Sequence, residues 1–206
     1  MIGAYKGISL KSRLTIALSW RMKKYSHVSE IKDSTGECIE AWMTGGKHWW
    51  SGKVRWNKSY HDGHKPGTRI DIYRYIGIRP EQEEGIWKFL VKQVGKEYDW
   101  SGIWGILRRK VTENPLKWFC AELEFAAYLH EGLALLKNIL AFQVTPPTLV
   151  TSPCLEYVGF LIVGEDLQDL KKVPVSQIAR KNRMIEERKH VGAQITTKEG
   201  RYGAQS

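Results

Sequence analysis

Apolar residues recur along this chain at two different periods, and the switches between them divide it into elements. Residues 7–22 place Leu10, Leu14, Ala17 and Leu18 at i, i+4, i+7 and i+8, which predicts an amphipathic helix. Ser9 or Ser12 would cap it, and Lys23 and Lys24 suit its C-terminal end. The period then becomes two. Residues 26–31 and 38–43 read as strands joined by the turn residues Asp33-Ser34-Thr35-Gly36, a hairpin. Residues 44–68 read as a long loop with a short strand around 53–56, and 68–75 as a strand with Ile70 and Ile72 alternating against charge. A helix is predicted over 80–97, opened by Pro80 and buried along Ile86, Phe89, Leu90 and Val94. A turn at 98–100 leads to a short apolar helix ending near Lys110. Asn114-Pro115 breaks the chain. The next helix, 119–131, turns Leu123, Ala126, Ala127 and His130 inward and stops at Gly132. A linker begins at Val144-Thr145-Pro146-Pro147. A strand follows over 157–163, then a basic helix over 175–189, and disorder is expected from His190.

Alternation in the hairpin brings the first chemistry together. His27, Ser29 and Ile31 share one face of their strand, and Cys38, Glu40 and Trp42 share one face of its partner. Two registers are open. If Lys32 pairs with Glu37, Ser29 faces Glu40 and His27 is diagonal to it; if Lys32 pairs with Thr35, His27 faces Glu40 directly. In both, the imidazole and the carboxylate are in reach of each other on one sheet face.

Composition bounds the rest. The chain has 206 residues, enough for one domain with a short appendage. Hydrophobic residues at 42% and charged residues at 26% exclude global disorder. No apolar run is long enough for a membrane span, and the first residues lack a secretory signal, so a cytoplasmic location is expected. Three cysteines without a CxxC pair disfavour a disulfide scaffold and a structural zinc knuckle, and leave room for one working thiol. The net charge of +10 is concentrated at the ends. It points to solubility or to weak contact with an anionic polymer or membrane surface through the basic C-terminal segment, residues 176–206.

Cys120 opens a predicted helix. Unpaired N–H groups at a helix start stabilise a thiolate and lower its pKa, and the same groups can hold an oxyanion. His27 can supply the proton to a leaving group, and Glu40 can orient the imidazole. A Cys at a helix start, a His on a strand and a polar residue on the neighbouring strand is a papain-like arrangement.

Taken in order, Tyr25-Ser26-His27-Val28, Ile39-Glu40-Ala41, Tyr98-Asp99, Phe119-Cys120-Ala121-Glu122 and Val144-Thr145-Pro146-Pro147-Thr148-Leu149 with Ser152-Pro153 resemble the circularly permuted, YiiX-like branch of the NlpC-type papain-like amidases. The resemblance covers roughly residues 7–155. The family pattern at the nucleophile is Cys-Ser-Glu, and here Ala121 takes the place of the serine. The resemblance implies an α+β permuted papain-like fold, an antiparallel sheet or small barrel packed against helices, spanning residues 1–175. It implies Cys120 as nucleophile, His27 as base and Glu40 as orienting residue. Tyr98 would lie beside the site, and Trp42 and Ser26 are further substrate-side candidates. The implied activity is thioester-mediated cleavage of an amide, peptide or ester bond, with peptidoglycan-type peptide as the family-weighted substrate and a phage setting reconciling it with the missing signal. No cofactor is implied.

Two other readings stand beside this one: an acyltransferase on the same site, and a non-catalytic basic binding protein. His61-Asp62-Gly63-His64 has no helical context or third ligand, so no metal is expected there. Trp42, Trp49, Trp50 and Trp56 would line a substrate groove or anchor the loop. The basic helix 178–189 lacks a strong apolar face, and a solvated helix accounts for it.

Overall fold

The computed structural model describes residues 1–7, 25–43, 51–99, 116–165 and 173–202, with side chains up to 188. The expected helix over 7–22, the apolar helix after Trp100, and Trp49 and Trp50 fall outside the described residues, apart from Gly7. Among the described residues the strands are β1 (Ile2–Lys6), β2 (His27–Ile31), β3 (Cys38–Met43), β4 (Gly52–Asn57), β5 (Arg69–Tyr75), β6 (Glu97–Tyr98), β7 (Lys117–Trp118) and β8 (Leu155–Ile162). The helices are α1 (Pro80–Gln93), α2 (Cys120–His130), α3 (Pro146–Leu149) and α4 (Val175–Tyr202).

The strands form one sheet in the order β7-β6-β4-β3-β2-β1-β5-β8. It is open, with β7 and β8 at its edges, so the barrel alternative does not hold. Its ladders are antiparallel except β6–β7, which is parallel, and the sheet is therefore mixed. The architecture is α+β.

Strand alternation sorts the core into two faces. Ile2, Ala4, Val28, Ile39, Ala41 and Val54 pack under α1 and α2, meeting Ile86, Leu90, Leu123 and Ala127. Tyr5, Ile31, Ile70, Ile72 and Leu161 face the other way and are covered by Val175, Ile178 and Ala179 of α4. Each buried Ile or Leu stabilises these layers by roughly 1.5–3 kcal/mol. A boundary at residue 175 thus falls at the start of a helix packed on the sheet. Gly159 permits that approach, since a Cβ there would run into the Ala179 carbonyl.

The hairpin takes the first of its two registers. Lys32 N–H donates to the Glu37 carbonyl at 2.8 Å, and Ile31 and Glu30 pair with Cys38 and Ile39. Gly36 closes the turn at φ 74°. β1, which the opening residues did not announce, is a central strand between β2 and β5. Gly3 makes it possible, because a Cβ there would come 2.5 Å from Ile31 Cδ1.

Other differences have local causes. α1 stops at Gln93 rather than 97, because Gly95 (φ 93°) turns the chain back to the sheet. There Gly95 N–H donates to the Val54 carbonyl and Val54 N–H to the Lys96 carbonyl, both at 2.8 Å. Its buried positions become Ile86, Trp87, Leu90 and Gln93, and Val94 is 40% exposed. In α2, His130 is exposed instead of inward, while Glu124, Phe125 and Tyr128 are buried. The helix α4 runs to Tyr202, past the point where disorder was expected, through a stretch that holds no proline.

Asp33 in the hairpin turn ties α4 to the sheet. Its carboxylate accepts from Ser176 N–H (2.8 Å), Ser176 Oγ–H (2.9 Å) and Arg74 Nη2 (2.8 Å), capping the helix from a distant turn.

Candidate active site

Glu40 is the centre of a buried polar cluster on the α4 side of the sheet. It sits mid-strand in β3 with no exposed surface. One carboxylate oxygen, Oε1, accepts from Arg55 Nε (2.9 Å), Arg55 Nη2 (2.6 Å) and Asn57 Nδ2 (2.5 Å). The other, Oε2, meets His27 Nε2 and, at 3.3 Å, His64 Nε2. The β3–β4 register explains the first set: Glu40 lies directly opposite Arg55, and Cys38 opposite Asn57. Arg55 also donates to the Asp62 carbonyl at 3.1 Å, which anchors the turn that carries His64.

Aromatic rings seal this cluster. His64 stacks on Tyr5 at 4.1 Å and 18°. Trp42 makes T-shaped contacts with His27 (5.2 Å, 81°) and with His64 (4.7 Å, 72°), and the Arg55 guanidinium lies 4.4 Å from its ring centre. Trp42 therefore covers the His27–Glu40 pair. Tyr5 Oη is 3.0 Å from Ser29 Oγ beside it.

Burial pushes Glu40 toward neutrality, but His27 and His64 outweigh it, and the carboxyl stays well below its usual range. Burial pushes His27 the other way, below 6.5, with Glu40 opposing. Both directions favour an ionised Glu40 beside a neutral His27 near neutral pH. Donation from Nε2–H to the carboxylate leaves the lone pair on Nδ1, the tautomer a general base requires.

Cys120 enters from the opposite layer, at the first position of α2, where it is 1% exposed. Glu122 caps the helix start by accepting from Phe119 N–H at 3.2 Å. Ala121 is fully buried. The β2–β3 ladder ends at Glu30–Ile39. The next hydrogen-bonded pair in that register would be Val28 with Ala41. Instead, the Val28 N–H faces the Cys120 sulfur. The thiol thus meets β2 at the residue after His27, from the face of the sheet opposite to the imidazole.

Among the described residues no hydrogen bond joins the imidazole to the thiol; the ring's side-chain bond is to Glu40. Desolvation raises the Cys120 pKa to about 12, against the pull of the Val28 and Ala121 amides. The lowered pKa expected at a helix start is overturned here, because full burial outweighs two amides. Tyr98 is buried beside the sulfur and hydrogen-bonds to it. Ser26 is half-buried, with Oγ 3.4 Å from the Tyr5 carbonyl oxygen, so its hydroxyl is turned to backbone.

Sequence reasoning missed Arg55, Asn57, Tyr5 and His64. The first two were readable in principle from alternation in 53–57, had the β3–β4 register been known. His64 was noted only as half of an HxxH pair, and the pair does not act together. His61 turns away, accepting from Gly164 N–H at 3.0 Å.

No protein-family model matches this chain, and no curated protein matches it.

Proposed function

We propose that this protein is a cysteine-dependent hydrolase of amide, peptide or ester bonds, with Cys120 as nucleophile, His27 as general base and Glu40 as the residue that orients the imidazole. The observation that carries the reading is the gap in the β2–β3 ladder. There the helix-start thiol meets the amide of Val28, the residue after His27, whose own Nε2 meets a buried carboxylate on the other face of the sheet. The ordered motifs shared with permuted papain-like amidases support the same assignment and favour that fold and a peptidoglycan-type peptide substrate.

In the proposed cycle the substrate displaces the thiol from its buried rotamer toward Nδ1 of His27. The sulfur gives its proton to Nδ1 and attacks the carbonyl carbon. The oxyanion is held by amides of the α2 start, Cys120 N–H among them. The carbonyl re-forms, the bond to the leaving group breaks, and the imidazolium proton passes to the departing amine or alcohol. Water then gives a proton to His27 and attacks the thioester, and the thiol leaves with that proton as the acid is released. An amine or alcohol acceptor in place of water makes the site an acyltransferase.

A non-catalytic reading is favoured by a different observation: among the described residues the sulfur is fully buried and makes no hydrogen bond to the imidazole. One experiment separates the two. Wild-type protein is incubated with muropeptides, peptide amides and lipid esters, quenched in acid, and examined by mass spectrometry. An acyl adduct on Cys120, absent in Cys120→Ser and slowed about 100-fold or more in His27→Ala, supports the hydrolase. No adduct from any donor supports the binding protein.

A further inference from the structure

We propose that His27, Glu40 and His64 form a binding site for a transition-series divalent cation, Zn²⁺ by preference, and that its occupation switches off the base of the proposed thiol chemistry. Among the described residues this is the one group of three metal-ligating side chains whose donor atoms all lie within 4.8 Å of one another. Both imidazoles aim Nε2 at the same carboxylate oxygen, Oε2 of Glu40. Two ligands on a tetrahedral zinc are about 3.3 Å apart. The His64–Glu40 separation, 3.3 Å, already has that value. The His27–Glu40 pair would open slightly to admit the ion.

Two imidazoles with one carboxylate select a borderline ion over Mg²⁺ or Ca²⁺, which take oxygen donors. The surroundings match those of a metal site. The second oxygen of Glu40 is held by Arg55 and Asn57, so Oε2 is left to the ion. His64 is fixed by stacking on Tyr5, and Trp42 closes one side. Three protein ligands leave a fourth position for water or a small anion.

Binding needs a lone pair on each Nε2, so each imidazole carries its proton on Nδ1 instead. His27 in that form has no acceptor for a thiol proton. This regulatory half of the proposal rests on the hydrolase reading; the binding half does not.

The test is equilibrium competition of the full chain against a chromophoric zinc indicator, paired with visible spectra of the Co²⁺ form. The expected result is one ion per chain, with a Co²⁺ spectrum of tetrahedral or five-coordinate intensity and no thiolate charge-transfer band. His64→Gln should weaken Zn²⁺ binding roughly 100-fold and Asn57→Ala about tenfold, while Cys120→Ala leaves it unchanged. Cooperative unfolding of each variant, followed by circular dichroism, shows that it is folded. No Zn²⁺ bound by wild type, unchanged affinity in folded His64→Gln, or loss of binding in Cys120→Ala overturns the site. Zinc binding by a protein that never forms a Cys120 adduct keeps the site and removes only its regulatory meaning.

Discussion

Replacing Glu40 by Gln tests the centre of the molecule, because it removes one charge while keeping shape. In the native cluster three donors from Arg55 and Asn57 converge on Oε1, and His27 Nε2 meets Oε2. A glutamine has a single oxygen. Turned toward Arg55 and Asn57 it keeps those bonds but not their charge assistance, which is worth about 1 kcal/mol per bond. The expected loss is about 3 kcal/mol at pH 7. For a chain of this size that corresponds to a fall in Tm of roughly 6–12 °C. The glutamine NH₂ then points at His27, which can accept only by moving its proton to Nδ1. The substitution thus reverses the tautomer as well as weakening the fold. Urea unfolding at pH 7 measures the first effect. Long-range ¹H–¹⁵N correlation spectra of the His27 ring measure the second. If His27 is the base, hydrolysis falls on the order of 10⁴-fold, as when an amide replaces an orienting carboxylate and fixes the wrong tautomer. A loss below about 1 kcal/mol, or a ring that keeps Nε2 protonated in Glu40→Gln, would refute this account of the cluster.

Three further outcomes follow from the same structure. Stability should fall on acidification in two windows. His27 is held below 6.5, so its contribution is complete above that pH and is lost as pH falls through the folded value; Glu40 is held below 4.5 and contributes likewise from 4.5 downward. Urea midpoints from pH 8 to 3 should therefore decline, and His27→Ala should flatten the upper window; a flat wild-type profile contradicts both assignments. Asp33→Ala removes the cap of α4 and should cost about 1–2 kcal/mol, with hydrogen exchange accelerated first in the initial turn of that helix. Iodoacetamide at pH 8 should label Cys154, which is partly exposed, ahead of Cys120 and Cys38, which are buried with raised pKa values; equal rates at all three count against the closed thiol.

The hairpin and its His27–Glu40 pair were legible because they rest on short-range rules. Alternation over 26–31 and 38–43 sets the faces, and the turn residues between them limit the register to two choices. What decided between those choices was the Lys32–Glu37 backbone bond. β1 was illegible for the opposite reason. Ile2-Gly3-Ala4-Tyr5 carries little β-branched or alternating signal, and its place depends on the close approach of Ile31 and Ile70, distant in sequence. Arg55 and Asn57 depended on a register, and His64 on how a glycine-containing turn folds back over the sheet. The thiol was legible as a helix-start cysteine, but its raised pKa was not. That depends on how completely the α2 start is buried, which is a tertiary property.

The clasp between Asp33 and Ser176 joins positions 143 apart in the chain. Closing so long a span costs entropy that only the finished layer of Val175, Ile178 and Ala179 against Ile70, Ile72 and Leu161 repays. During synthesis the apolar side of β5 and β8 stays uncovered until the segment that carries Val175, Ile178 and Ala179 has left the ribosome. That layer therefore closes only after all eight described strands have been made, and a nascent chain stalled before Val175 would leave Ile70, Ile72 and Leu161 open to water and to other chains.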